Sequence, residues 1–474
     1  MLVSPLCQDM TQHEPVISVD EMRAAEQAAM DAGVTERQLM QRAGEGAAQW
    51  VWRVAAGRAV TVLCGPGNNG GDGYVVAEWL RRRGCGVRVV APLDPANDTA
   101  TSARKAYHGE VLRDADDISA PILVDCLFGY GLSRPIGGEL GRTLNTLVES
   151  HPYRIGIDLP SGVEADTGNQ LTELPSYDLT LALGFWKRAH FLMPAMSFMG
   201  QRRLVPIELE APDDASGFRA KSPSFDGPPS NAHKYSRGLA AIVAGSMPGA
   251  PILAAEAAMR SGAGYVKLFS NQSHPDAPAD LVIDDGPLDN ALEDERIDAL
   301  LIGPGLGREN DARDRLGAVL ATEKPCVIDA DALHLLDSAM LQGRDTSYML
   351  VTPHEGELAQ LCKTFSVDAA DKFHKARNLA ERTGLNVLAK GPDTFLATRD
   401  RILFFDPGPS TLSVAGTGDM LAGLLTGRLA NHGDIIRAAE ESVALQHEAA
   451  RLAGPVFSAS DLGRHVASAY ARFI

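Results

Sequence analysis

The stretch AVTVLCGPGNNGGDGYVVA, residues Ala59–Ala77, decides how this chain is read. Ala59–Cys64 is a short apolar, β-branched run, the pattern of a strand buried on both faces. Gly65, Gly67 and Gly70 follow it in GxGxxG spacing, and a helix is expected from about Asp72 to Arg83. Glycines let the backbone come close to phosphate oxygens, and a helix start offers free N–H groups and a partial positive charge. A tight turn without a ligand would explain a lone GxGxxG as well. Here Asn68-Asn69-Gly70-Gly71-Asp72-Gly73 is denser in glycine and amide side chains than a turn requires, which favours a ligand loop.

Working outward, the same alternation continues. Asp20–Trp52 reads as one or two Ala-rich helices, and strands are expected at Val87–Ala91, Ile122–Asp125, Arg154–Asp158 and Leu179–Leu183. Further on, strands at Ala240–Ala244, Leu300–Ile302, Cys326–Ile328, Met349–Val351 and Val387–Ala389 alternate with helices. Apolar strands joined by helical crossovers imply parallel sheets covered on both faces. Between the halves, APDDASGFRAKSPSFDGPPS (Ala211–Ser230) is rich in Pro, Ser, Gly and Asp without apolar periodicity, and reads as an exposed linker. The expectation is two α/β domains, 1–211 and 231–474, joined by residues 212–230. Each is long enough for its own core.

Of the 474 residues, 45% are apolar and 22% charged, which excludes a wholly disordered chain. Lys and Arg total 44 against 61 Asp and Glu, a formal net charge of −17. Such a field opposes nucleic acids and anionic membranes. The densest basic run, Arg81-Arg82-Arg83, reads as the solvated end of a helix. No stretch approaches the length of a transmembrane helix, and Met1–Glu14 has neither a basic n-region nor an apolar h-region. The six cysteines form no CxxC pair, and Cys64, Cys126 and Cys326 sit in apolar strand-like runs, as buried free thiols do. A reducing compartment, the cytoplasm, is expected, with small-molecule partners and a symmetric homo-oligomer.

In open parallel sheets, ligands bind beyond the carboxyl ends of the strands. Two such ends in the first half carry carboxylates: Asp125 opens DCLFGYGLSRPIGG, and Asp158 opens DLPSGVEADTG. One such Asp alone is more often a cap or an Asx-turn. Three strand ends converging on one crevice weaken that reading. Asn69, Asp125 and Ser161 supply hard oxygen donors suited to a simple cation rather than zinc or iron. Asp158 can serve as acid or base.

NNGGDG, VDCLFGYGL and IDLPSG, in this order and spacing, closely resemble the NAD(P)H-hydrate epimerase domain, and DEMRAAEQAAMDAGVTERQLMQRAG (Asp20–Gly44) is similar to that family's N-terminal helical segment. The resemblance covers nearly the whole first half and implies a Rossmann-like fold. It implies that Asn68, Asn69, Gly70, Gly71 and Asp72, with Gly129, Tyr130, Gly131, Leu132, Ser133, Arg134 and Pro135, contact the hydrated dinucleotide. It further implies that Asp158 binds the reacting ring as the acid/base, and that Asn69, Asp125 and Ser161 hold K⁺.

The second half carries other loops. LLIGPGLG (Leu300–Gly307) lacks dinucleotide spacing; VTPHEGELAQL puts His354 and Glu355 after a strand, where a His is as often a cap or a solvated side chain. AKGPDT ends a strand with Lys390, and VAGTGDMLAG (Val414–Gly423) places Asp419 in the first turn of a helix. Such an Asp is often only a dipole partner. A Gly-rich helix start is also an anion hole, in which Asp419 could take a hydroxyl proton during phosphoryl transfer, with Lys390, Gly416–Gly418 and Mg²⁺ offsetting the nucleotide's charge. No GK[ST] occurs, so a Walker A loop is absent.

NAHKYSRG, GAPILAAEAAMRSGAGYVKL, IGPGLG, VIDADAL, VTPHEGELAQL, AKGP-T and AGTGD together resemble the ADP- or ATP-dependent NAD(P)H-hydrate dehydratases, which are ribokinase-like, over most of Asn231–Ile474. The resemblance assigns Ala250, Gly305, His354 and Asp419 to the hydrate. It assigns Lys390, Gly391, Pro392, Asp393, Thr394 and Gly418 to the adenine nucleotide, carried with Mg²⁺ as ADP or ATP. Where the family pattern has Pro after the histidine, this chain has Glu355. Together the halves imply a bifunctional repair enzyme: the first interconverts the R and S hydrates of NADH and NADPH, and the second dehydrates the S form with release of phosphate. Two alternatives stay open on the residues alone: a ribokinase-like vitamin-precursor kinase, and a first half that senses a dinucleotide without reacting.

Overall fold

Short apolar runs buried on both faces build both sheets. The computed structural model describes residues 13–212, 215–272 and 274–474, and the chain divides into two units, one ending at Phe218 and the other beginning at Arg219.

The first unit runs β1 (Glu14–Ile17), α1 (Val19–Asp31), α2 (Glu36–Ala55), β2 (Val60–Cys64), α3 (Asn68–Arg82), β3 (Val87–Val90), α4 (Asp98–Ala106), β4 (Val111–Leu112), β5 (Ile122–Cys126), α5 (Gly138–Ser150), β6 (Tyr153–Ile157), β7 (Leu179–Leu183), β8 (Trp186–Lys187) and β9 (Gln201–Val205). Seven strands form a parallel sheet in the order β4-β3-β2-β5-β6-β7-β9. Capping boxes at Ser18/Glu21 and Thr35/Gln38 start α1 and α2 by pairing orphan amides with side-chain oxygens. Val60, Val62 and Cys64, with Ile122, Val124 and Cys126, face one core layer; Leu63 and Leu123, with Leu144 and Leu147 of α5, face the other. The fold is Rossmann-like, and its strand order reverses between β2 and β5, which opens a crevice at their carboxyl ends.

Helix α3 corrects an expectation. It begins at Asn68 with Gly67 as N-cap, four residues before the expected start, so Asn68–Gly71 form its first turn and Asp72 lies buried inside it. The early start depends on missing side chains. A Cβ on Gly70 would collide with the Gly65 carbonyl oxygen, and one on Gly73 would stand 2.8 Å from Cys64 Sγ and Cys126 Cβ. Low glycine helix propensity hid this turn from the sequence.

Strand β10 (Gly217–Arg219) falls at the division, and the second unit continues with β11 (Leu239–Val243), α6 (Gly249–Arg260), β12 (Tyr265–Phe269), β13 (Val282–Asp284), α7 (Leu288–Leu292), β14 (Ile297–Ile302), α8 (Asn310–Ala321), β15 (Cys326–Ile328), α9 (Asp331–Leu335), α10 (Ser338–Leu341), β16 (Met349–Val351), α11 (Glu355–Thr364), α12 (Lys372–Thr383), β17 (Asn386–Ala389), β18 (Phe395–Ala397), β19 (Ile402–Phe404), α13 (Thr417–His432), α14 (Ile435–Ala453) and α15 (Ala459–Tyr470). The order β13-β12-β11-β14-β15-β16-β17 is parallel, and β17-β18-β19 continue it antiparallel. This is a mostly parallel sheet with an antiparallel edge.

Within the expected linker 212–230, residues 226–230 are exposed, whereas parts of the stretch 215–225 pack against other residues. Ser216 hydrogen-bonds Glu21 through its N–H and hydroxyl, and residues Gly217–Arg219 form a strand. Phe225 is buried against Tyr470 and Phe473, with ring centroids 4.6 and 5.3 Å away. Cys64, Cys85, Cys126, Cys326 and Cys362 are free and buried. Among the described residues no helix is long and apolar enough to cross a membrane; residues 1–12, most of the stretch read for a leader, lie outside the description.

Candidate active sites

In the first unit, Asp158 stands immediately after β6 in a left-handed conformation, φ +67°. A non-glycine residue rarely adopts that backbone, and this one is held by contacts on every side. Its N–H donates to the Leu181 carbonyl at 2.7 Å, and its own carbonyl meets His190 Nε2 at 2.8 Å. Oδ2 accepts the Tyr130 N–H at 2.8 Å. Oδ1 accepts a 2.6 Å hydrogen bond from Lys187 Nζ, which also donates to the Leu183 carbonyl at 2.7 Å.

This carboxylate faces a cavity of about 490 Å³, also lined by Asn68, Asn69, Asp72, Gly129, Tyr130, Gly131, Leu132 and Lys187. Glu26 of α1 reaches the same space and accepts the Tyr130 hydroxyl at 2.7 Å. Burial raises the Glu26 carboxyl, and pushes Asp72 well above the usual carboxylate range, with the Asp158 charge adding to the effect. Gly129 is required where it stands, because a Cβ there would lie 2.9 Å from Asp158 Oδ2 and 3.3 Å from Asn69 Cγ. Ser133, Arg134 and Pro135 are exposed and do not line the cavity. Gly70 and Gly71 are packing positions against the Gly65 backbone and the Met40 side chain.

Asp125 is fully buried at the end of β5. Oδ1 accepts from the Ser161 hydroxyl at 2.7 Å and the Leu127 N–H at 3.1 Å. Oδ2 accepts from the Ser161 N–H at 2.9 Å and the Tyr177 hydroxyl at 2.7 Å. Burial raises its pKa in spite of these donors. Both amide atoms of Asn69 are buried without a hydrogen-bond partner. An unsatisfied buried amide is costly, so the Asn69 side chain is suited to a hard cation or a polar ligand group; Asp125 at the end of β5 and Ser161 after β6 supply further hard oxygens.

In the second unit, Gly416 caps α13 in the left-handed region, φ +87°, and Asp419 occupies the first turn. The helix start alone would lower its pKa. Burial, reinforced by the Asp329 charge, instead raises it to about 6. Lys390, at the end of β17, donates to Asp329 Oδ1 at 2.7 Å, and the Thr352 hydroxyl donates to the same oxygen at 2.7 Å. Gly418 lies against this lysine: a Cβ there would be 3.4 Å from Lys390 Nζ. Asp393 is tied to Lys372 Nζ at 2.5 Å, and the Thr394 hydroxyl accepts the Gly391 N–H and donates to the Gly391 carbonyl, so these side chains brace the Gly391–Thr394 turn. The loop after β14 reaches the same region. The Gly305 carbonyl accepts the Met247 N–H at 3.0 Å, and Ala250 follows in α6. Gly307 N–H donates to Asp331 Oδ2 at 3.0 Å.

His354 is a helix cap. Its Nδ1 accepts the Gly356 and Glu357 N–H groups at 3.0 and 3.3 Å, and its side chain is 62% exposed. Glu355 is the exposed first residue of α11, a position that suits an acidic side chain as well as Pro. The departure from the family pattern therefore leaves the turn intact.

Sequence reasoning missed Lys187, Glu26, Asp329 and Thr352. Lys187 had one signal, a basic Lys187-Arg188 pair directly after the apolar run LALGFW; Asp329 lay within the quoted VIDADAL at a strand end.

Residues 36–189 match a family model described as YjeF-related protein N-terminus, and residues 240–470 match one described as NAD(P)H-hydrate dehydratase. A Thermanaerovibrio acidaminovorans protein named bifunctional NAD(P)H-hydrate repair enzyme is 32% identical, with 91% of this chain and 92% of that protein covered. The chain belongs to this family. The Escherichia coli member is 32% identical over 86% of this chain and 83% of its own. Among solved structures, that of the ADP/ATP-dependent NAD(P)H-hydrate dehydratase from Bacillus subtilis, co-crystallised with ATP and Mg²⁺, is 26% identical with a TM-score of 0.47, covering 53% of this chain and 95% of that one. Both halves of this chain thus carry a domain of the repair-enzyme family.

Proposed function

We propose that this chain restores hydrated NADH and NADPH in two steps: its first unit interconverts the R and S hydrates, and its second dehydrates the S hydrate with ADP or ATP. The observation that carries the reading is a pair of strand-end or helix-start carboxylates, each set near a lysine, fully buried in the first unit and partly exposed in the second. Asp158 is locked by Lys187, and Asp419 lies in the field of the Lys390–Asp329 pair.

Hydroxide is a poor leaving group and phosphate a good one. In the second unit Asp419 takes the proton of the hydrate's hydroxyl as its oxygen attacks the terminal phosphoryl group. The nucleotide leaves shortened by one phosphate; the phosphorylated ring carbon then loses phosphate and its neighbouring ring carbon loses a proton, which restores the double bond. Lys390, the Gly391–Thr394 backbone and the α13 N-terminus meet the nucleotide's negative charge. Mg²⁺, when bound with the nucleotide, shields that charge further. Among the described residues no three His, Cys, Asp or Glu side chains are grouped to hold a metal, which suits an ion that keeps its waters and rides on phosphates. In the first unit Asp158 handles the proton at the reacting ring.

Incubation with the separated epimers tests the reading. The S hydrate should regain dihydronicotinamide absorbance with ADP or ATP and Mg²⁺ and release free phosphate. A stable phosphorylated product would point instead to a kinase.

Asn69, Asp125 and Ser161 would hold K⁺, which when bound offsets the charge of the dinucleotide's phosphates. Replacing K⁺ by tetramethylammonium is therefore expected to slow epimerisation and leave dehydration unchanged. In Asn69→Ala the first step should no longer respond to K⁺, read as the rate of R-hydrate loss against salt identity at constant ionic strength.

A further inference from the structure

The residue that most constrains Asp158 lies outside the loops assigned to the dinucleotide. Lys187 follows β7 by four residues, its side chain has 0% exposure, and it nevertheless lines the cavity floor. A buried ammonium is costly unless paired and hydrogen-bonded. Here both conditions hold, through Asp158 Oδ1 at 2.6 Å and the Leu183 carbonyl at 2.7 Å, and the charge stands 5.4 Å from the Tyr130 ring centroid.

The same short segment fixes Asp158 a second time. The Lys187 N–H donates to His190 Nδ1 at 2.9 Å. That leaves the proton of the neutral imidazole on Nε2, from which it is donated to the Asp158 carbonyl at 2.8 Å. Burial and the Lys187 charge hold this imidazole neutral, with a pKa of about 4. The side chain of Lys187 thus fixes the carboxylate, and its backbone, through His190, fixes the left-handed peptide that carries it.

Other groups facing Asp158 make the lysine necessary. Glu26 from α1 and Asp72 from α3 crowd it with carboxyl groups, while Tyr130 contributes one N–H to Oδ2. Without the ammonium, Oδ1 would lose its charged partner and the carboxylate its fixed rotation. We infer that Lys187 is a positioning residue for epimerisation, holding the Asp158 carboxylate at the reacting ring. This rests on the proposed epimerase reading of the first unit.

The test uses the full chain, with R-hydrate loss followed at several substrate concentrations. Misplacement of a catalytic group by about 1 Å can cost about 10²-fold, so Lys187→Ala should lose about that factor in kcat while KM changes little. Ethylammonium, small enough for the vacated slot, should restore kcat in a saturable way in Lys187→Ala but not in Asp158→Ala. Lys187→Arg serves should Lys187→Ala not fold: a planar guanidinium cannot reproduce the point contact in a fully buried slot, and kcat should fall at constant KM. Wild-type kcat in a folded variant, or a loss confined to KM and untouched by ethylammonium, would overturn the inference. A wild-type chain that does not epimerise, in the same assay, would instead remove the reading beneath it.

Discussion

Asp419→Asn is expected to lose about 10² to 10⁴ in dehydration kcat, the usual contribution of a positioned general base, with epimerisation unchanged. The amide keeps the shape of the carboxyl and its place in the first turn of α13 but cannot take a proton. What makes Asp419 suited to the task is a contest that the helix loses. The α13 N-terminus favours its anion; burial and the Asp329 charge oppose it, and the outcome is a pKa of about 6. Lys390 would offset this more strongly were its ammonium not already shared with Asp329 at 2.7 Å. A base near pH 6 holds its proton well enough to take one from a hydroxyl and is still ionised at neutral pH. The dehydration rate should accordingly fall as pH drops through about 6.

The sign of the stability effect separates catalysis from folding. A carboxyl whose folded pKa is raised destabilises the fold as pH rises from the unfolded value, 3.8, through about 6. At neutral pH that penalty is fully present, and Asp419→Asn removes it. The variant should melt no lower than the wild type while turning over poorly. Wild-type dehydration by the variant, measured as phosphate released per enzyme, would exclude Asp419 as the base.

The legible parts of this molecule are those where one local pattern has one physical cause. Val60–Cys64, Ile122–Cys126, Leu179–Leu183 and Met349–Val351 are apolar runs buried on both faces, and the strands fall where periodicity puts them. Gly65 and Gly70 were legible as a close-approach loop because no other residue fits against a backbone carbonyl. What escaped depends on partners remote in sequence. Strand β1 is only four residues, and its identity comes from pairing with β8, some 170 positions on. Phe225 looked like part of a spacer because its aromatic partners, Tyr470 and Phe473, lie at the far end of the chain. Lys187 goes unread in the sequence because its role depends on Asp158, 29 positions away, being placed beside it. His354 shows the converse: a residue that attracts a functional role in the sequence spends one ring nitrogen on capping α11.

Asp158→Asn should abolish conversion of the R hydrate and leave dehydration of the S hydrate unchanged. It should also destabilise the first unit, because the ion pair it breaks is almost wholly buried, with side-chain exposures of 0% for Lys187 and 5% for Asp158. Removing one member of such a pair leaves the other charge buried and uncompensated, at a cost of about 3–5 kcal/mol. Loss of activity in the single variant therefore has two sources, and a paired substitution divides them. Asp158→Asn combined with Lys187→Met takes out both charges, and such replacements are often neutral or stabilising. The double variant should regain most of the denaturant stability lost by Asp158→Asn, yet recover none of the epimerisation. If restored stability brought R-hydrate conversion back with it, Asp158 would be a structural anion and the proton handler of the first step would lie elsewhere in the cavity, with Asp72 the next carboxyl to test.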